Sequence, residues 1–95
     1  MKKESAIVHV HAVFKGMVQG VGFRFTAQSL AGDLAVKGWV KNLPNGDVEV
    51  ELEQKKEVLE EFLSKINRYF SKYIHSAQID WQAHGREFKD FQIKF

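Results

Sequence analysis

The chain has 95 residues, 44% of them hydrophobic, so one domain over residues 1–95 is expected, with a modest core burying roughly 60–65% of the unfolded surface. The absence of cysteine excludes a disulfide framework, zinc ribbons, thioredoxin chemistry and any phosphocysteine mechanism, and makes the cytoplasm the expected compartment. A net charge of +2 is too small to argue for nucleic acid, but residues 1–46 carry six bases against two acids and residues 47–95 eight against ten, so a small anion is to be sought in the first half.

Met1-Lys2-Lys3-Glu4 leads into the apolar run Ile7 to Phe14, which is too short for a membrane span and carries His9 and His11, so neither a secretory signal nor a membrane anchor is expected. The run alternates, with Val8, Val10, Ala12 and Phe14 on one face, and predicts strand one. From Phe23 to Ala35 the apolar residues Phe23, Ala27, Leu30, Ala31 and Leu34 fall at three- and four-residue spacing, which predicts a helix laid on a sheet. Gly32 inside it costs up to about 1 kcal/mol relative to alanine and leaves the helix end open. Lys37 to Asn42 and Asp47 to Glu53 flank Leu43-Pro44-Asn45-Gly46, a hairpin in which Asn and Gly are expected to supply positive φ. In the second arm Val48, Val50 and Leu52 alternate with Asp47, Glu49, Glu51 and Glu53, predicting a one-sided sheet with the acids in water. Val58, Leu59, Phe62, Leu63, Ile66 and Phe70 stripe a second helix that covers the apolar face. Ala77, Ile79, Trp81 and Ala83 alternate as strand four, and Phe91 to Phe95 can add a short fifth. The order predicts an α+β, ferredoxin-like split βαβ sandwich (β-α-β-β-α-β), an antiparallel sheet with two helices on one face.

The connection from strand one to helix one, Gly16-Met17-Val18-Gln19-Gly20-Val21-Gly22-Phe23-Arg24, has three features that belong together. Glycines 16, 20 and 22 permit tight turns that bring consecutive N–H groups to the surface. No Ser, Thr, Asp or Asn stands where the helix needs an N-cap, although such a cap is worth about 1 kcal/mol. Arg24 lies in the first helical turn, where an unpaired cation opposes the helix dipole by about 0.3–1 kcal/mol. A bound phosphate answers both defects, accepting the free N–H bonds and pairing with the guanidinium. A glycine-rich connection with a solvated arginine is the alternative. The loop is not a Walker A sequence, since no Gly-Lys-Ser/Thr follows, nor a dinucleotide fingerprint, whose third glycine would fall at Phe25.

Gly16-x-Val18-Gln19-Gly20-Val21-x-Phe23-Arg24, then Ala31, Leu34, Gly38-Trp39-Val40-Lys41-Asn42, the Asn45-Gly46 turn and Val48-Glu49, resemble the two signature blocks of the acylphosphatase family, and the likeness extends over the whole chain to its final Phe-x-Ile-x-aromatic segment. The resemblance implies a ferredoxin-like fold and hydrolysis of acyl phosphates, with Arg24 and Asn42 as the catalytic pair and Gln19, Gly20, Val21, Gly22, Phe23 and Arg24 as the phosphate-binding segment. Asn45 stands where the family often has aspartate, a change confined to the turn. No cofactor and no metal are implied. The expected partners are a small acyl phosphate and inorganic phosphate, with no nucleic acid or membrane, and the expected state is a monomer. The alternative is a non-catalytic phosphate- or carbamoyl-phosphate-binding regulatory module, because similar domains form the N-terminal part of larger hydrogenase-maturation proteins. A chain ending at Phe95 favours the free-standing enzyme.

His9 and His11, two apart on a strand, could be metal ligands, but no third ligand is identifiable nearby, which leaves an exposed strand face as the simpler expectation. His75 and His84 are expected on the surface, as are Lys55 and Lys56. Trp39, Trp81, Phe23 and the helix-two aromatics are expected in the core, with Phe23 also walling the loop. Glu49, Glu51 and Glu53 offer no contrast in environment for paired-carboxylate hydrolysis. An RNA-binding sheet of the same topology would need exposed aromatics on its central strands, where this chain has histidines and acids.

Overall fold

The computed structural model describes residues 6–83 and 87–95; His84 lies outside the described residues. Seven elements follow in order: β1 (Ile7–Gly16), α1 (Phe23–Leu34), β2 (Lys37–Asn42), β3 (Val48–Lys55), α2 (Lys56–Tyr69), β4 (Ile74–Gln82) and β5 (Phe91–Lys94). They form one five-stranded sheet in the order β4-β1-β3-β2-β5. β1 pairs antiparallel with β3 and β4, and β2 with β3, as the ferredoxin-like order requires; the fifth strand adds to β2 in parallel. No helix among the described residues is long and apolar enough to cross a membrane.

The stripes read from the sequence become the core. Val10, Ala12 and Phe14 of β1, Val50 and Leu52 of β3, Ala27 and Leu30 of α1 and Leu59, Phe62 and Ile66 of α2 are all buried. Phe23 stacks between Phe14 and Phe70, with ring centroids 5.2 and 4.7 Å apart, which pins the first turn of α1 to both β1 and the end of α2. Removing such a ring costs about 3–5 kcal/mol. Gly32 stays inside α1, and the helix ends through Ala35, which takes the left-handed conformation (φ 55°) while its N–H bonds Ala31 O.

The hairpin closes differently from the expectation. Only Gly46 has positive φ. Its N–H bonds Leu43 O at 3.1 Å, and the Asn45 side chain instead accepts the Asp47 N–H at 3.0 Å. The local side-chain hydrogen bond that makes Asn a turn residue is used here in place of its tolerance for left-handed backbone.

The second face of the sheet also departs from the expectation. His9 is fully buried, and Glu51 and Glu53 are only 8% and 4% exposed, so the sheet is not one-sided and this row of acids is not a solvated face. The segment leading into β5 folds over them: the Phe88 ring stacks on His9, and Glu53 accepts the N–H groups of Glu87 at 2.9 Å and Phe88 at 2.7 Å. His9 Nε2 donates to the Glu51 carboxylate, and its Nδ1 lies 3.8 Å from Glu53. His11 Nε2 donates to Glu49 at 2.7 Å. The histidines are thus spent on carboxylates, and among the described residues no three His, Asp or Glu side chains are grouped to hold a metal. Glu53→Gln turns one acceptor into a donor facing a partly buried N–H, and bonds of this charge-assisted kind are worth about 1.5–3 kcal/mol. We expect urea denaturation to show a loss of about 2–3 kcal/mol; an unchanged midpoint would show that this tether carries no stability.

The tryptophans are likewise not core. Trp81 is 40% exposed on the edge strand β4, with the ammonium of Lys56, the first residue of α2, over its ring, and Trp39 is half-buried on the opposite face beneath Lys94. Each carries a lysine 4.8–5.7 Å from its centroid, a contact that lets an aromatic sit at a wet boundary.

Candidate active site

The register of the sheet brings the two signature blocks to one end of the molecule. β1 and β2 are not neighbours, but both flank β3, and Val48 of β3 is opposite Phe14 on one side and Asn42 on the other. The chain leaving β1 and the last residue of β2 therefore emerge in the same row. The 16–22 loop starts with the Met17 N–H bonded to Tyr73 O at 2.9 Å, crosses this end, and enters α1 beside Asn42.

Two glycines shape its second half. Gly20 and Gly22 have φ of 76° and 83°, a region that costs other residues about 1–2 kcal/mol. A Cβ at either would meet no atom within 4 Å, so the requirement is conformational, and the space beyond the backbone is open. Gly22 is the N-cap of α1 and offers no side-chain bond; the first turn contains no acid. The uncapped N-terminus read from the sequence is present.

A cavity of about 140 Å³ lies against this turn. It is lined by Val18, Gly20 and Gly22 of the loop, by Phe23, Arg24 and Phe25 of α1 and by Asn42 at the end of β2. Arg24 and Asn42, 18 positions apart in the sequence, thus face one space. Both are half-buried, and neither side chain has a hydrogen-bond or ion-pair partner among the described residues. The Arg24 guanidinium rests on the Phe95 ring, 5.0 Å from its centroid. A planar cation held on a ring face keeps its N–H edge free for an anion.

Gln19 and Val21, the other residues of the expected phosphate-binding segment, do not line the cavity. Val21 packs against the core. The Gln19 side chain turns to the hairpin and donates to Leu43 O at 2.8 Å and Asp47 O at 2.9 Å. Both amide hydrogens are used, so the loop is tied to the same turn that ends β2 with Asn42. The sequence marks Gln19 as part of a block without indicating this work; its only signal is a two-donor side chain among glycines. Phe25 and Phe95 are also missed, because an apolar residue in a helix turn or a terminal strand is first read as core. We expect Gln19→Ala to lower kcat/KM about 10–100-fold with a stability loss of about 1–2 kcal/mol, since two neutral bonds to partly buried carbonyls vanish and the loop loses its index to Asn42. Parallel losses of activity and stability, abolished by assay well below the melting temperature, would contradict a positioning effect.

Comparison with known proteins identifies the family. The acylphosphatase family model matches residues 10–93. The chain is 36% identical to an acylphosphatase of Bacillus pumilus over 90 residues, covering 93% of this chain and 99% of the relative, and 48% identical to one of Methanospirillum hungatei over 67 residues, covering 70% and 67%. The crystal structure of acylphosphatase from Bacillus subtilis superimposes with a TM-score of 0.86 at 28% identity, over 93% of this chain and 99% of that one. Full-length HypF in its phosphate- and nucleotide-bound form matches all of this chain but only 13% of its own length, with a TM-score of 0.82 and 27% identity. With both signature blocks on one cavity and a family match over nearly the whole sequence, the chain belongs to the acylphosphatase family, the enzymes that hydrolyse acyl phosphates.

Proposed function

We propose that, in the acyl phosphate hydrolysis this chain carries out, Arg24 and the backbone N–H groups of residues 19–24 hold the phosphoryl group while Asn42 orients the attacking water. The observation that supports these roles is the shared cavity: a cation, an uncapped helix N-terminus and a carboxamide face one space, and among the described residues neither the Arg24 nor the Asn42 side chain has a hydrogen-bond or ion-pair partner. A carboxyl phosphate has a good leaving group, so positioning and charge stabilisation supply most of what is needed. Water attacks phosphorus, the bond from phosphorus to the carboxyl oxygen breaks, and its electron pair leaves with the carboxylate. Arg24 and the N–H groups neutralise the equatorial oxygens as charge redistributes. The Asn42 carbonyl accepts a hydrogen bond from the water and its amide donates to a phosphoryl oxygen. The water's proton passes to a phosphate oxygen, since among the described residues no histidine or carboxylate lines the cavity. Products are the carboxylate and inorganic phosphate.

The same proposal includes a single-domain monomer over residues 1–95, working in the cytoplasm on a small substrate, without metal or cofactor and without nucleic acid or membrane. The test is benzoyl phosphate hydrolysis with a chelator present. Turnover that survives the chelator and is inhibited competitively by inorganic phosphate is expected. Turnover that stops with the chelator and returns on adding a divalent ion would overturn metal independence, and phosphate binding without turnover would favour the regulatory module.

A further inference from the structure

The first turn of α1 treats two neighbouring phenylalanines differently. Phe23 is 2% exposed in the core, whereas Phe25 is 69% exposed and forms part of the wall of the phosphate cavity. Phe25 belongs to no core cluster and makes no ring contact among the described residues. Helix formation does not ask for it, since a first-turn position is served better by alanine or a charged residue. A large apolar side chain held in water at the mouth of a polar site is the kind of exposure that marks ligand contact.

The size and lining of the cavity say what meets that ring. It is small, about 140 Å³, so with a phosphoryl group and the attacking water inside it a bulky acyl group such as benzoyl extends to the rim. Attacking and leaving oxygens lie roughly in line across phosphorus, so the acyl group emerges at the rim, on the side away from the water. Asn42 closes β2 while Phe25 follows Arg24 in the first turn of α1, and both line the cavity, so Phe25 is the exposed apolar side chain on the part of the lining that the strand of Asn42 does not supply. We propose that Phe25 is the acyl-binding surface of this enzyme and gives it a preference for acyl phosphates with aromatic or bulky apolar acyl groups over acetyl phosphate. This rests on the phosphoryl group lying against Arg24.

The contact is one-sided. Covering roughly 50–60 Å² of apolar surface at about 25 cal/mol per Å² corresponds to a tenfold effect, about 1.4 kcal/mol. The experiment compares kcat/KM for benzoyl phosphate and acetyl phosphate in the parent, in Phe25→Ala, in Phe25→Leu and in Ile79→Ala, an apolar truncation on the distant edge strand. Taking the ratio between substrates cancels their different intrinsic reactivity. Phe25→Ala is expected to lower the benzoyl-to-acetyl ratio about tenfold, mainly through KM for benzoyl phosphate, with Phe25→Leu retaining most of the ratio and Ile79→Ala all of it. An unchanged ratio in Phe25→Ala, or an equal fall for both substrates, overturns the assignment while leaving acyl phosphate hydrolysis by the parent intact. A parent that hydrolyses neither substrate overturns the assignment together with the reading beneath it.

Discussion

Arg24→Ala is expected to reduce kcat/KM for an acyl phosphate by about 10³–10⁴-fold while leaving the fold intact. Among the described residues the guanidinium is the single cationic group lining the cavity, and a cation supplied to a phosphoryl transition state is worth about 10³–10⁵ in rate. The backbone N–H groups remain, so some phosphate affinity survives. Stability should change little, because the lost ring contact with Phe95, about 0.5–1 kcal/mol at an exposed site, is offset by removing a cation from the positive end of α1. Arg24→Lys should recover less than tenfold, since an ammonium cannot offer two parallel N–H bonds to phosphate oxygens. The measurements are steady-state kinetics, with far-UV circular dichroism and a urea midpoint for each variant. A folded alanine variant within tenfold of the parent would mean that the phosphoryl group sits elsewhere.

Asn42→Ala should act on a different kinetic parameter. If the carboxamide aims the water, its loss lowers kcat by about 10²–10³ and leaves KM and the inhibition constant of phosphate within a few-fold of the parent. Asn42→Asp keeps the shape but sets a carboxylate beside the phosphoryl oxygens, and is expected to raise KM as well as lower kcat. Should Asn42→Ala raise KM with kcat unchanged, Asn42 would be a binding group and the water would need another partner. Neither change should affect packing, because the side chain is half-buried with no bonded neighbour among the described residues.

Much of this was legible in the sequence. Both helices and strands β1, β3 and β4 are announced by periodicity and β2 by the turn that follows it, and the pairing of Arg24 with Asn42 comes from the family resemblance of the two signature blocks. What was not legible depends on chain that arrives from far away. Glu51 and Glu53 alternate with valine and leucine like any solvated strand face, and it takes distant chain, Glu87 and Phe88 among the described residues, to cover that face. Trp81 carries the apolar signature of core, yet β4 is the edge strand and the ring stays 40% exposed beside Lys56 at the start of α2. Gln19 lies inside a recognised block, but the carbonyls it bonds belong to a turn 24 and 28 residues further on. Periodicity reports which way a side chain points along its own strand or helix and is silent about what the rest of the chain brings to it.

The strand order has a consequence for how this site comes into being. β1, the first strand, pairs at Ile7 with Lys55 and at His9 with Gln82, so its ladders close only after most of the chain is available. The β2–β3 hairpin is the one strand pairing made by near neighbours. Loop-closure entropy is incurred before such remote pairs return any stabilisation, and chains of this kind fold on a millisecond-to-second scale where helical bundles take microseconds. The turn that anchors Gln19 can form early, while the glycine loop has no fixed partner until β1 docks beside β3. Catalytic competence therefore emerges late, with the collapse of the whole sheet, and partly folded chains carry Arg24 without the cradle that gives it a use.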